Sequence, residues 1–308
     1  MHHKLVQWCI LILAFLIRLM SKPILSTSPV EVTPKQANER LLAMWLDGHS
    51  AHTVDSYRRA VGRFLDYVNK PLHLVTLADL QLWRASLNDL APSSVATVLA
   101  AVKSLLRFGY QLGVLPTNVG TAIKTPKVKD TLNERILSES EVTTLITLER
   151  NERNRVMLRL LYAGGLRVSE LCALKWRDLK PRKQLGQVTV FGKGGKTRTV
   201  LLPQGVWEEL CQLKGSSRGN DAVFRSRQGG GHLDRSQVYR IVKAAAKRAG
   251  IEGNVSPHWL RHAHASHSLD RGAPLHLVQA TLGHSSVATT ERYLHARPND
   301  SSAMYLPG

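Results

Sequence analysis

Cysteine is scarce in this chain of 308 residues: there are three, Cys9, Cys172 and Cys211, odd in number and far apart. Such spacing excludes a disulfide framework and a thiolate metal cluster, and it suits a reducing compartment. The three are read as small packed apolar residues rather than nucleophiles. Acidic residues are also short, 23 against 42 lysines and arginines, for a formal net charge of +19 and a pI near 10.2. No internal repeat or low-complexity tract interrupts the sequence. A membrane-length apolar run is missing too: the segment from Trp8 to Ile17, between Lys4 and Arg18, falls well short of the about twenty residues a span needs. No Ala-x-Ala cleavage site follows it. Residues 1–32 therefore read as an N-terminal extension, with Met20 as the true start and the apolar run before it dispensable. The expectation is a cytoplasmic protein with no membrane partner.

What is present is positive charge, spread over the whole chain. Up to residue 130 there are 15 basic and 8 acidic residues, and after it 27 and 15, so the halves carry +7 and +12. An excess of this size favours a polyanionic partner, because each neutralised phosphate releases condensed counterions. Nucleic acid is the first reading and a membrane surface the second.

Residues 33–115 show helical periodicity throughout. In the second helix Val54, Tyr57, Val61, Phe64, Leu65 and Val68 share a face behind Thr53 as N-cap, with Arg58, Arg59 and Arg63 on the other side. A third helix opens at Thr76 and a fourth near Pro92, with Lys103 and Arg107 facing outward. The pattern is a helical bundle with basic ridges suited to phosphate contact. Periodicity stops over 116–137, where Pro116, Gly120 and Pro126 stand among Lys124, Lys127 and Lys129, and this stretch reads as a basic linker. Residues 138–297 form a second domain, mainly helical, with one hairpin: Val188–Phe191 and Thr197–Leu202 flank Gly192-Lys193-Gly194-Gly195-Lys196. Residues 298–308 are a tail. Two basic domains on a basic strap suit a clamp around a duplex.

Four segments of the second domain carry chemistry-bearing side chains. Leu160 to Leu171 runs as an apolar helix to Gly164-Gly165, after which Arg167 begins another. The hairpin tip presents Lys193 between glycines. After Pro257, His258 and Arg261 stand three apart on one helical face. Finally, Leu282-Gly283-His284 precedes Tyr293 by nine residues, and on one unbroken helix that interval would put His284 and Tyr293 on opposite sides. Gly283 as a C-cap and Ser285-Ser286 as a fresh helix start break the helix and let both turn inward.

In this order and at these intervals the segments resemble the tyrosine recombinase family, to which phage integrases and Xer-type recombinases belong. The resemblance spans residues 33 to 297 and is strongest in Gly165-Leu166-Arg167-Val168-Ser169-Glu170-Leu171, in His258-x-x-Arg261, and in Leu282-Gly283-His284 with Tyr293. It implies an N-terminal four-helix core-binding bundle and a C-terminal catalytic domain, mainly α with a small β-hairpin or sheet. It further implies that Arg167 and Arg261 grip the scissile phosphate and that Tyr293 attacks it. Lys193, His258 and His284 then fill the remaining catalytic positions. The expected partners are double-stranded DNA recombination sites and further copies, in a homo- or hetero-tetramer on DNA. Only 15 residues follow Tyr293, with Pro298 and Pro307 among them, which reads against a long exchange helix between protomers.

Physical chemistry is consistent with those roles. Attack on a phosphodiester creates a pentacoordinate dianion, and fixed cations aimed at its equatorial oxygens act where charge develops. Arginine forks bind two oxygens and stay protonated. A tyrosine with an ordinary pKa near 10 needs activation by a base such as His258, and the leaving 5′ oxygen needs a proton, for which Lys193 is the donor. Neither a cofactor nor a divalent metal is required. Two alternatives stay open: a type IB topoisomerase-like enzyme using the same phosphotyrosine, and a non-catalytic DNA-binding protein of the same fold. A zinc hydrolase built on His258 and His262 is disfavoured, because Trp259 replaces the glutamate of His-Glu-x-x-His and Arg261 would repel the metal.

Overall fold

The structure is a computed structural model that describes residues 33–192, 195, 197–226 and 230–296. The N-terminal apolar run, Lys193 and the tail lie outside the described residues. The chain divides into two units between Lys129 and Asp130.

The first unit is a bundle of four helices, α1 (Pro34–Leu46), α2 (Ala51–Val68), α3 (Leu77–Ala85) and α4 (Pro92–Gln111). Its helix starts follow from capping chemistry. Thr33 and Thr76 each form reciprocal capping boxes, with Gln36 and Asp79 respectively. At α2 the cap is Ser50, whose hydroxyl accepts the Thr53 amide, and not Thr53 itself. Thr53 already lies inside the helix, because α2 begins three residues earlier than the apolar stripe suggests. Val61, Phe64, Leu80, Trp83, Leu99, Leu105 and Leu106 form the centre, with Phe64 and Trp83 in edge-to-face contact at 4.8 Å. Each such side chain contributes about 1.5–3 kcal/mol through burial.

Residues beyond α4 are more ordered than the loss of periodicity suggests. Ile123 is buried in the first core, while Leu132, Ile136 and Leu137 are buried in the second unit. Lone apolar anchors between prolines leave no period to read. Lys103, expected on an outward ridge, is half-buried, and its ammonium donates to the Ile123 carbonyl at 2.9 Å. It ties this segment to the bundle.

The second unit holds α5 (Glu139–Thr147), α6 (Glu152–Ala163), α7 (Val168–Ala173), α8 (Gln204–Lys214), α9 (Arg235–Arg248), α10 (Pro257–Asp270), α11 (Leu275–Leu282) and α12 (Val287–Ala296). Strands β1 (Leu179–Arg182), β2 (Leu185–Phe191) and β3 (Thr197–Leu202) form an antiparallel sheet in that order. The hairpin register pairs Val188 with Val200 and Phe191 with Thr197. Val188, Val190, Val200 and Leu202 face a core that also contains Met157, Leu160, Leu161, Phe224 and Val238. A smaller cluster gathers Leu132, Ile136, Ala265, Val278, Leu282 and Tyr293. Through it the helix carrying Tyr293 is packed on the central helix α10.

Candidate active site

Arg167 sits at the start of α7 because α6 ends at Gly164 and the chain reverses at Gly165. Gly165 has φ +56°, and a Cβ there would lie 2.8 Å from both the His264 ring and the Leu282 side chain. Only glycine satisfies both the conformation and the space. The Arg167 guanidinium donates to Glu170 Oε1 at 2.9 Å and to the Gly283 carbonyl at 3.0 Å. Arg261, 4% exposed, donates to the carbonyls of Gly165 at 2.5 Å and Leu282 at 2.6 Å. Each arginine thus spends two of its five N–H groups on fixing itself; Arg167 lines the cleft described below, and Arg261 is buried behind it. Burial, then the neighbouring Arg167, pushes Arg261 down to about 10, still protonated at neutral pH.

Gly283 ends α11 in the left-handed conformation, φ +64°. The break places His284 and Tyr293 on one side, their rings parallel within 6° at 6.5 Å. His284 Nδ1 lies 2.9 Å from the buried Thr290 hydroxyl. With Arg167, Ser169, Phe191, Arg198 and Ser285 it lines a cleft of about 750 Å³. His258 is open to solvent near the start of α10. Neighbouring protein still desolvates part of its ring, and this, then Arg261 and Arg167, lowers its pKa. The same causes, with Arg198 added, hold His284 at about 4.

Tyr293 is 5% exposed and is not among the cleft-lining residues. Its hydroxyl lies 2.7 Å from His262 Nδ1. The contact with the phenol therefore belongs to His262 and not to His258, the expected base. His262 is one helical turn further along α10, where the sequence by itself suggests only a disfavoured zinc pairing with His258. Among the described residues no group of three His, Cys, Asp or Glu side chains gathers to hold a metal.

Two further residues were missed. Glu170, buried, accepts from Arg198 through both oxygens at 2.7 and 2.8 Å while also holding Arg167. Burial would raise its carboxyl pKa, but the bonds from Arg198 and Arg167 outweigh burial and leave it lowered. Arg198 Nε donates to the Thr281 carbonyl at 2.6 Å, and its side chain lies 3.1 Å from where a Cβ on Gly283 would stand. One signal was available: on β3, Arg198 shares the inward register of Val200 and Leu202, an unusual place for a cation.

Of the basic residues expected on DNA-binding faces, Arg58, Arg59, Arg63 and Arg107 are exposed on the first unit, as are Lys124, Lys127 and Lys129 beyond α4. Lys103 is the exception described above.

Comparison with known proteins identifies the family and the fold. Residues 135–300 match the phage integrase family, and residues 43–113 its N-terminal SAM-like domain. The chain is 34% identical over 271 residues to tyrosine recombinase XerD of Listeria innocua, covering 80% of this chain and 89% of that one. It is 36% identical over 258 residues to tyrosine recombinase XerC of Xanthomonas campestris, covering 80% and 79%. Its fold is similar to that of one chain of lambda integrase, solved as a tetramer bound to a Holliday junction, with TM-score 0.71, 18% identity, and 87% and 78% of the two chains covered. The chain belongs to the phage integrase family of site-specific tyrosine recombinases.

Proposed function

We propose that this chain cleaves and rejoins duplex DNA through a 3′-phosphotyrosine formed at Tyr293. One observation carries the reading: Arg167, Arg261, His284 and Tyr293, from sequence-distant segments, are anchored around a single turn at Leu282-Gly283. Arg167 and Arg261, fixed by carbonyl and carboxylate acceptors, would place their remaining N–H groups on the non-bridging oxygens of the scissile phosphate, where charge grows during attack. His284, neutral at working pH, and His258 would add donors to the same oxygens. Lys193 would protonate the leaving 5′ oxygen. The phosphotyrosine conserves the bond, so religation by a 5′ hydroxyl needs no nucleotide cofactor.

The substrates are recombination sites in double-stranded DNA, and the working assembly is a homo- or hetero-tetramer on DNA, acting in the cytoplasm. The relatives named XerD and XerC and the DNA-bound fold neighbour support this partner class. The test is covalent trapping. The native chain should retain DNA on a denaturing gel, and sequencing that DNA names the site. Tyr293→Phe should bind the same DNA and form no adduct. An adduct persisting in that variant sinks the assignment.

A further inference from the structure

We propose that His262 is a catalytic residue whose Nδ1 takes the proton of Tyr293 as the phenol attacks phosphorus. The proposal rests on Tyr293 being the nucleophile. Its starting point is geometry: the 2.7 Å contact between Nδ1 and Oη lies within the reach a general base requires. His258, one turn earlier on the same face, has its ring centre 6.4 Å from that of His262. His258 has Arg261 and Arg167, the phosphate-side cations, as its charged neighbours. His262 shares Arg261 but has Arg135 and Arg292 in place of Arg167, with His258 beside them. The two histidines thus divide the site, one toward the phosphate and one toward the nucleophile.

In the resting site His262 is a neutral but weak acceptor, and the transfer becomes favourable as negative charge grows on the phosphorane beside it. Burial and its cationic neighbours hold it at about 4, so the ring is neutral at working pH and a lone pair is free for the phenol. Burial likewise raises the Tyr293 pKa, with Arg261 and Arg292 opposing, so the phenol keeps its proton until the phosphate arrives. The step balances as follows. The Oη–H bond breaks with the proton passing to Nδ1, Oη–P forms, P–O5′ breaks, and the 5′ oxygen takes a proton from the general acid. The imidazolium formed beside three arginines is offset by the new charge on the phosphorane. At religation it returns the proton to the departing tyrosinate, which an acid this strong does readily.

Single-turnover adduct formation by the full chain tests this. The probe is a pool of nicked duplexes of randomised sequence, from which the native chain selects cleavable members and on which the nick traps the adduct. Peptide mapping of the native adduct first establishes its residue; an adduct elsewhere than Tyr293 defeats the underlying reading rather than this inference alone. His262→Asn retains an acceptor near Nδ1 but cannot take a proton. It should bind the selected duplex and cleave it about 10²–10⁴-fold more slowly. Ring-fluorinated tyrosine at position 293, a more acidic phenol, should shrink that deficit at least about tenfold while leaving the deficit of His258→Asn unchanged. Cleavage by His262→Asn at or above the native rate would make the contact a latch and overturn the proposal. So would a deficit indifferent to fluorination, or a rescue confined to His258→Asn. Should His262→Asn fail to fold, the native and Tyr293→Phe chains labelled with ¹⁵N-histidine give an independent readout. Loss of the phenol should move the His262 Nδ1 resonance, and a fixed resonance overturns the proposal.

Discussion

The two units use positive charge in opposite ways. On the first, Arg58, Arg59, Arg63 and Arg107 stand exposed on helices whose other faces build the core. In the second, Arg167, Arg198 and Arg261 are held by Glu170 and by the carbonyls of Gly165, Thr281, Leu282 and Gly283. An exposed cation can follow a phosphate wherever the duplex offers one, and its contribution is electrostatic and interchangeable. A cation fixed by two acceptors cannot follow. It reads position, and its value lies in needing no reorganisation during reaction. The difference explains why net charge alone points to a polyanionic partner while the candidate active site depends on Glu170 and on neutral backbone carbonyls.

The largest effect expected on the second unit concerns Lys193. Lys193→Ala should slow cleavage about 10²–10⁴-fold if the lysine is the general acid. A substrate with sulfur at the bridging 5′ position should restore most of that loss, since a thiol of pKa about 8.5 leaves without a proton. The same substrate should fail to rescue Arg167→Ala. Equal slowness of Lys193→Ala on both substrates would turn the lysine into another phosphate clamp.

Next comes the buried clamp of Arg198. Its removal leaves Glu170 held only by Arg167, and breaking a buried ion pair on one side typically costs about 3–5 kcal/mol. Arg198→Met should therefore lower stability and misplace Arg167 together. Arg198→Met combined with Glu170→Gln should recover much of the stability, measured by denaturant unfolding. It should recover little of the cleavage rate, because Arg167 loses its charged anchor. Equal recovery of both would mean that the clamp stabilises the fold and positions nothing.

How far such features were legible depends on the range of the contacts that make them. Helices of the first unit were readable because their apolar stripes and Thr76 cap are local, and Gly283 was readable because a helix break is the only way to bring His284 and Tyr293 together. The arginines, His284 and Tyr293 were found through motif intervals rather than through any property of single residues. The Arg198–Glu170 pair joins β3 to α7, 28 positions apart, and no period connects them. Strand β1 was missed because only Leu179 of its four residues is buried and Pro181 interrupts it. His262 shares its face with His258, so the spacing was visible, but the tyrosine that gives it meaning lies 31 residues away.

Acidification offers a smaller test. His262, His264 and His284 are each held at about 4, chiefly by burial, against 6.5 for a free ring. The unfolded chain therefore binds more protons than the folded one between about pH 6.5 and 4, and stability falls as pH drops through that window. Above it the contribution of the neutral rings is complete. Melting of the second unit should fall by about 5 °C or more between pH 7.5 and 5, given 2–4 °C per kcal/mol for a domain of this size. An unchanged transition would show that these rings accept protons without cost.

The smallest effect separates the two kinds of cation within the first unit itself. Replacing Arg58, Arg59 and Arg63 together by alanine should weaken binding to any duplex. If all three touch phosphates, the log–log salt slope falls by up to about 2.7, at about 0.9 per contact. Lys103 is the counterexample on the same bundle, since it is half-buried and its ammonium is directed at the Ile123 carbonyl. Lys103→Ala should leave the slope unchanged and instead loosen the segment around Ile123, read as faster amide exchange there and a modest loss of stability, about 1–3 kcal/mol for an acceptor left without its donor. Lys103→Met, which keeps the stem without the charge, should behave the same way. A drop in slope with either variant would place Lys103 among the phosphate contacts, and position on the bundle would then no longer distinguish a binding cation from a structural one.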